Sequence, residues 1–117
     1  MKINNPEVVD KLKLILKSIA RLREGFRLEK EEVLEHPSLV ELEKLRERSR
    51  YNYQMKIAEY LRDIKKLEIS IAPAQPQMEE AEELAGQCRK EAMQLQAHFV
   101  STPNRLIRVY KTGKPVE

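Results

Sequence analysis

The sequence predicts an all-α fold, an elongated antiparallel bundle of three long helices or a long helical hairpin with the third helix folded back. Three observations carry the prediction. Apolar residues recur at alternating spacings of four and three along three stretches: Val8, Leu12, Ile15, Ile19, Leu22 and Phe26; Tyr53, Ile57, Tyr60, Ile64, Leu67 and Ile71; and Met78, Ala81, Ala85, Cys88, Ala92, Leu95 and Phe99. Such a 3.5-residue repeat lays one apolar seam along a helix, and a second helix must cover it. The composition agrees: 35% of the residues are charged, 5% are aromatic, there is no Trp and there are three Gly. Chains rich in Glu, Lys, Arg, Leu and Ala with this periodicity form long helices. Finally, the strong breakers Pro37, Pro73 and Pro76 fall between the stretches and not within them.

The first helix is expected to start at Asn5-Pro6-Glu7. Asn caps free amides, Pro tolerates the first helical position and Glu suits the positive end of the helix dipole. It should end near Glu35, because Pro37 removes a donor and constrains His36. The second helix should then run from Pro37 to about Ile71. Residues 72–77 read as a linker, since two prolines in four residues cannot continue a helix. The third helix is expected over 76–100, with Glu79, Glu80, Glu82 and Glu83 at its positive end. Ser101-Thr102-Pro103-Asn104 should terminate it, leaving a basic, β-prone tail over 101–117 that contains Arg-Leu-Ile-Arg-Val-Tyr-Lys. The expected organisation is therefore a helical bundle over 1–100 and an extended tail over 101–117.

The second helix carries a further apolar line, Tyr51, Met55, Ala58 and Leu61, which predicts two covered faces and a central position. Its first part is irregular. Leu42, Leu45, Ser49 and Tyr53 step by three, four and four, a stutter that predicts local unwinding and looser packing. Folding back the third helix should bring its acidic start to Lys65 and Lys66, and Arg89 and Lys90 to Glu59. In the hairpin of the first two helices, Lys13, Lys17, Arg21 and Arg23 should come level with Arg48, Arg50 and Lys56, which asks for splayed helices or an acidic neighbour.

A chain of 117 residues suits one domain. The net charge of +3 lies entirely in the last 17 residues, because residues 1–100 hold 18 basic and 18 acidic side chains. The single cysteine permits no internal disulfide. The apolar run over 12–16 is broken by Lys13 and closed by Lys17, so it does not read as a secretion signal, and no stretch approaches the ~18 apolar residues of a membrane span. A cytoplasmic protein is the expectation. His36 and His98 have no companions at ligand spacing, Cys88 occupies a seam position, and no phosphate loop, zinc spacing or dinucleotide fingerprint appears. The chain is thus expected to be no enzyme and to use no cofactor, metal or small-molecule substrate.

The reading that remains is a protein-interaction module, a small adaptor, chaperone or assembly subunit that acts through coiled-coil-type apolar faces, with a protein partner or a second copy of itself. Leu14, Leu16 and Leu28 lie outside the narrow seam of the first helix, and Leu106 and Tyr110 are apolar positions in the tail; these five are the candidate contact residues. The alternative partner is nucleic acid, bound through Lys13, Lys17, Arg21, Arg48, Arg50, Arg105, Arg108 and Lys111. A nucleic-acid binder normally concentrates its charge, whereas this chain mixes signs along every helix except over 11–30. An amphipathic, basic first helix also resembles helices that lie on anionic membranes, but its apolar side is needed by the bundle, so a membrane is not an expected partner.

Overall fold

The computed structural model describes residues 5–71 and 78–113. Helix α1 spans Asn5–Glu35. Helix α2, Leu39–Arg48, runs directly into a π-helical segment, Ser49–Gln54, and then into α3, Met55–Ile71, so that residues 39–71 form one rod. Helix α4 spans Glu79–Thr112. There is no strand among the described residues. Cross-helix contacts fix the directions. Asn5 meets Ala81, Leu12 meets Cys88 and Phe26 meets Phe99, so α1 and α4 are parallel. Ser49 meets Phe99 and Glu68 meets Arg89, so the 39–71 rod is antiparallel to α4. The up-down-up bundle measures 54 × 23 × 17 Å, and its radius of gyration of 17.6 Å exceeds the ~13 Å of a compact chain of this length.

Local chemistry sets the ends. Ser38 caps α2: its hydroxyl accepts from the Glu41 amide at 3.1 Å, while the Leu42 amide bonds the Ser38 carbonyl at 3.0 Å. The second helix therefore begins two residues after the expected Pro37. Asn5 does not cap its own helix. Its side-chain carbonyl accepts from the Ala81 amide of α4 at 3.2 Å, tying the first turns of two parallel helices together. The expected start of the third helix at Pro76 lies outside the described residues; the described helix begins at Glu79.

Helix α4 packs along both α1 and the 39–71 rod, and those two also pack against each other, so the core lies between all three. Ala81, Ala85, Cys88 and Ala92 are fully buried. Small side chains set short interaxial distances, so α4 enters the gap between two helices that carry the bulk: Val8, Leu12, Ile19 and Phe26 from α1, and Leu42, Leu45, Ile57 and Ile64 from the rod. The expected second covered face is covered only in its later half: Tyr51 is 61% and Met55 56% exposed, whereas Ala58 and Leu61 are half-buried and Leu61 packs against the core.

The expected extended tail is helical. Helix α4 continues through Pro103 to Thr112, and Ile107 is buried. Gly113 ends it in the left-handed conformation at φ 66°, with its amide bonded to the Val109 carbonyl at 2.7 Å. Proline within a helix leaves the carbonyl four residues before it without its amide. That carbonyl belongs to Phe99, and it accepts from the Ser49 hydroxyl at 2.6 Å and from Gln54 Nε2 at 3.4 Å. The next carbonyl, that of Val100, accepts from Asn104 Nδ2 at 3.0 Å. The break in the ladder is thus repaired by side chains, and the pyrrolidine ring itself is buried.

The stutter over 42–57 coincides with the π-helical segment. On an α-helix a step of four residues overshoots a full turn by ~40°. The steps 45–49–53–57 would carry the seam off the core, but a π turn takes more residues per revolution and cancels the drift. Packing there is tight, not loose: Leu45, Ser49 and Ile57 are fully buried, and Tyr53 is 9% exposed.

Ion pairing also differs from expectation. Arg89 pairs with Glu68 at 3.5 Å, not with Glu59. Arg48 pairs with Glu29 at 3.7 Å, so it lies beside the acidic end of α1 and the expected collision with Lys13, Lys17 and Arg21 does not occur.

Candidate interaction surface

The five apolar contact candidates do not form one site. Leu14 is 64% exposed and Leu28 53% exposed, both on the face of α1 turned away from the core. They lie fourteen residues apart, four turns or ~21 Å along one side of the helix. Tyr110 is exposed near the end of α4. Leu16 and Leu106 are half-buried and pack against the core, so neither is free for a partner. Exposed apolar side chains that the seam argument did not single out are Leu34 on α1, Val40 and Ile69 on the rod, and Met93 and Val100 on α4.

Leu14 stands at the edge of a shallow groove between α1 and α3. The groove has a volume of about 430 Å³, its floor is Ile15 and Leu67, and Lys11 and Lys66 flank it with Asp63 between them. At the opposite end of the pair formed by α1 and the 39–71 rod, a second crevice is lined by Glu29, Glu32, Glu35, Glu41, His36 and Arg48.

The basic candidates also separate. Lys13, Lys17 and Arg21 are exposed on the first half of α1, and Arg105, Arg108 and Lys111 on the last turns of α4. Leu12 is level with Cys88, which places Arg105 ~25 Å further along the bundle than Lys13. Arg48 is engaged by Glu29, and Arg50 is exposed on the π-helical segment. No single face gathers them.

Two thirds of the way along α1 lies an aromatic cluster. Phe26 meets Phe99, His98 and Tyr53 edge-on, with ring centroids 5.1, 5.4 and 5.5 Å away. Burial pushes the Tyr53 hydroxyl towards the protonated form, and the Glu29 carboxylate beside it adds to the shift. Gly25 makes room for this ring: a Cβ there would stand 3.3 Å from the Tyr53 hydroxyl. Cys88 is buried, its thiol directed at the Leu12 carbonyl at 3.5 Å and pushed up to about 11, chiefly by burial and then by Glu91. A thiol held protonated in this way packs as a small apolar group. No group of three or more His, Cys, Asp or Glu side chains among the described residues is placed to hold a metal ion.

His98 makes the cluster sensitive to acid. Its Nδ1 lies 3.0 Å from the Thr102 hydroxyl. Burial holds its pKa below the ordinary value, and the charges of Lys30 and Arg105 lower it further. A depressed pKa means that the neutral ring contributes stability above the unfolded-state pKa of ~6.5, and this is lost as pH falls through the folded value. The urea midpoint is expected to drop between pH 7 and pH 5, and His98→Gln is expected to flatten that drop. An identical pH profile in the variant would remove His98 as its source.

No family model, curated protein or solved structure matches this sequence. Among the described residues no helix is long and apolar enough to cross a membrane.

Proposed function

We propose that the chain is a helical protein-interaction module of the adaptor, chaperone or assembly-subunit kind, which docks another helix on the outer face of α1 and carries out no chemistry of its own. The supporting observation is the placement of Leu14 and Leu28. Both are large, more than half exposed, on one side of one helix, and absent from a core that is complete without them. Isolated exposed leucines are ordinary on protein surfaces. Two on one heptad line of a 31-residue helix, with charged residues between them, leave an apolar anchor at each end of a face on which another helix can lie.

The test replaces both anchors. Leu14→Glu with Leu28→Glu is expected to keep the helical circular dichroism and the thermal midpoint, because both side chains are more than half exposed. It is expected to abolish the protein adducts that the parent chain forms on chemical cross-linking, whether with itself or in its native extract. Adducts that persist unchanged would refute this face as the docking surface. The separation of the basic groups predicts no retardation of duplex DNA at about 150 mM salt, where binding by few phosphate contacts is weak. Retardation at that salt, steeply reversed by more salt and lost with Lys13→Ala, Lys17→Ala and Arg21→Ala, would favour the nucleic-acid alternative.

A further inference from the structure

The outer face of α1 repeats at the same spacings of three and four as its buried seam. Leu14, Lys17, Arg21, Glu24, Leu28 and Glu31 follow one another on it, all exposed. Its charge is divided along its length. Residues 11–23 carry five bases and no acid, whereas residues 24–35 carry five glutamates and two bases. Among the described residues Lys13 and Lys17 enter no ion pair. Arg27 bridges Glu24 and Glu31, which holds both carboxylates in place on the same exposed face.

We propose that this face is a self-complementary surface on which a second copy of the chain docks antiparallel, α1 against α1, about a two-fold axis at Arg21. The proposal rests on the interaction-module reading and names its partner. The midpoint between the two leucines falls on Arg21. Turning a second copy about that point sets Leu14 against the partner's Leu28. The same operation sets Lys17 against the partner's Glu24. On the flanks, Lys13 comes to the partner's Glu31 and Lys11 to the partner's Glu32. A two-fold contact makes each pair twice. Parallel pairing would instead stack basic half on basic half and acidic half on acidic half, so the charge pattern selects the direction.

Two terms oppose. Arg21 meets its own copy at the axis, and Asp10 falls near the partner's Glu31 and Glu32. Arg27 also competes for Glu24 and Glu31. A helix of 31 residues offers a contact ~46 Å long, at the small end of stable interfaces. The dimer is accordingly reversible, and it weakens as salt screens the exposed pairs.

The experiment has two arms, both on the full chain. Sedimentation equilibrium is expected to show a concentration-dependent dimer. The variant K11E/K13E/K17E and the variant E24K/E31K/E32K are each expected to self-associate at least ~10-fold more weakly, and an equimolar mixture of the two to recover a dimer, since the mixture restores every pair. Register is read by cysteines in a Cys88→Ala background, where alanine matches its neighbours on α4. Leu14→Cys mixed with Leu28→Cys is expected to form a disulfide-linked dimer under mild oxidation, and neither variant alone to match that yield. Circular dichroism of each variant confirms the fold, because every substituted position except Cys88 is exposed. A parent chain that stays monomeric to about 500 µM overturns the proposal, as does preferential linkage of Leu14→Cys to itself. A monomer that still cross-links to other proteins through Leu14 overturns the self-pairing but leaves the interaction module standing. Association with anionic vesicles or with oligonucleotides in place of a dimer overturns both.

Discussion

Phe26→Ala is expected to destabilise the bundle by about 4 kcal/mol, the largest effect of any single substitution considered. Truncating a buried phenylalanine removes its transfer free energy and leaves a cavity that a close-packed core fills only in part, a loss of ~3–5 kcal/mol. Phe26 is 1% exposed and stands where all three helical rods meet. Its ring is the hub of the aromatic cluster, edge-on to Phe99 and His98 of α4 and to Tyr53 of the π-helical segment. Such edge-to-face pairs add ~0.5–1.5 kcal/mol beyond area burial. Because two of the partner rings are tied down by polar contacts, Tyr53 beside Glu29 and His98 to Thr102, the cluster has little freedom to collapse into the space. Domains of this kind hold only ~5–15 kcal/mol in total, so the variant should melt ~15 °C lower. Phe26→Leu, which keeps most of the volume, is expected to lose roughly half as much. Leu28→Ala, two residues further on but exposed, should change stability by no more than ~0.5 kcal/mol. Urea unfolding of the three variants decides the matter. A loss below ~1 kcal/mol for Phe26→Ala would mean that the cluster is not part of the packed core.

Much of the architecture was legible in the spacing of apolar residues, because burial on one side of a helix must recur every three to four positions. The ends of α1 and of the 39–71 rod follow from Pro37 and from the prolines over 72–77, and they lie within two residues of expectation. The seam of α4 consists largely of small residues that are fully buried, because bulkier side chains of α1 and the rod supply the volume facing them. Leu16 was expected to be open because it lies outside the narrow seam of α1, but the buried face of that helix is wider than the seam and takes it in. Leu14 and Leu28 remained exposed because they lie opposite the seam, a relation that depends on α1 alone.

The tail was misread for a different reason. The pattern of its apolar residues was local and present: Phe99, Pro103 and Ile107 step by four and four and continue the seam. Gly113 followed by Pro115 is also a helix-stop signal. What no local reading supplies is a donor for the carbonyl that Pro103 leaves bare. That donor is Ser49, fifty positions from Phe99 in the chain. In the same way, the stutter around Ser49 was visible, but its consequence depended on what stands across from it. A serine at a core position implies a loose site only if its hydroxyl lacks a partner.

This dependence makes Ser49 and Pro103 energetically coupled, and a double-mutant cycle should measure the coupling. In the parent chain Ser49→Ala strips the Phe99 carbonyl of its 2.6 Å bond and leaves only Gln54 at 3.4 Å. An acceptor buried without an adequate partner costs ~1–3 kcal/mol, and a value near 2 is expected because Ser49 is fully shielded from water. Pro103→Ala returns a backbone amide to position 103, whose natural acceptor on an α-helix is that same carbonyl. In the Pro103→Ala background the Ser49 hydroxyl is no longer needed, so Ser49→Ala should there cost less than ~0.5 kcal/mol. The difference, an interaction energy of ~1.5 kcal/mol between residues 54 positions apart in sequence, lies well above the ~0.3–0.5 kcal/mol scatter of independent sites. Pro103→Ala alone gains helix propensity but loses a buried ring, two effects of opposite sign, and for that reason the cycle and not the single variant carries the information. Hydrogen exchange gives a second readout, because the new amide at 103 should be protected in both Pro103→Ala chains, and more strongly in the one that lacks the competing Ser49 hydroxyl. Strict additivity across the cycle, together with an unprotected amide at 103, would show that the serine does not stand in for the proline's missing donor.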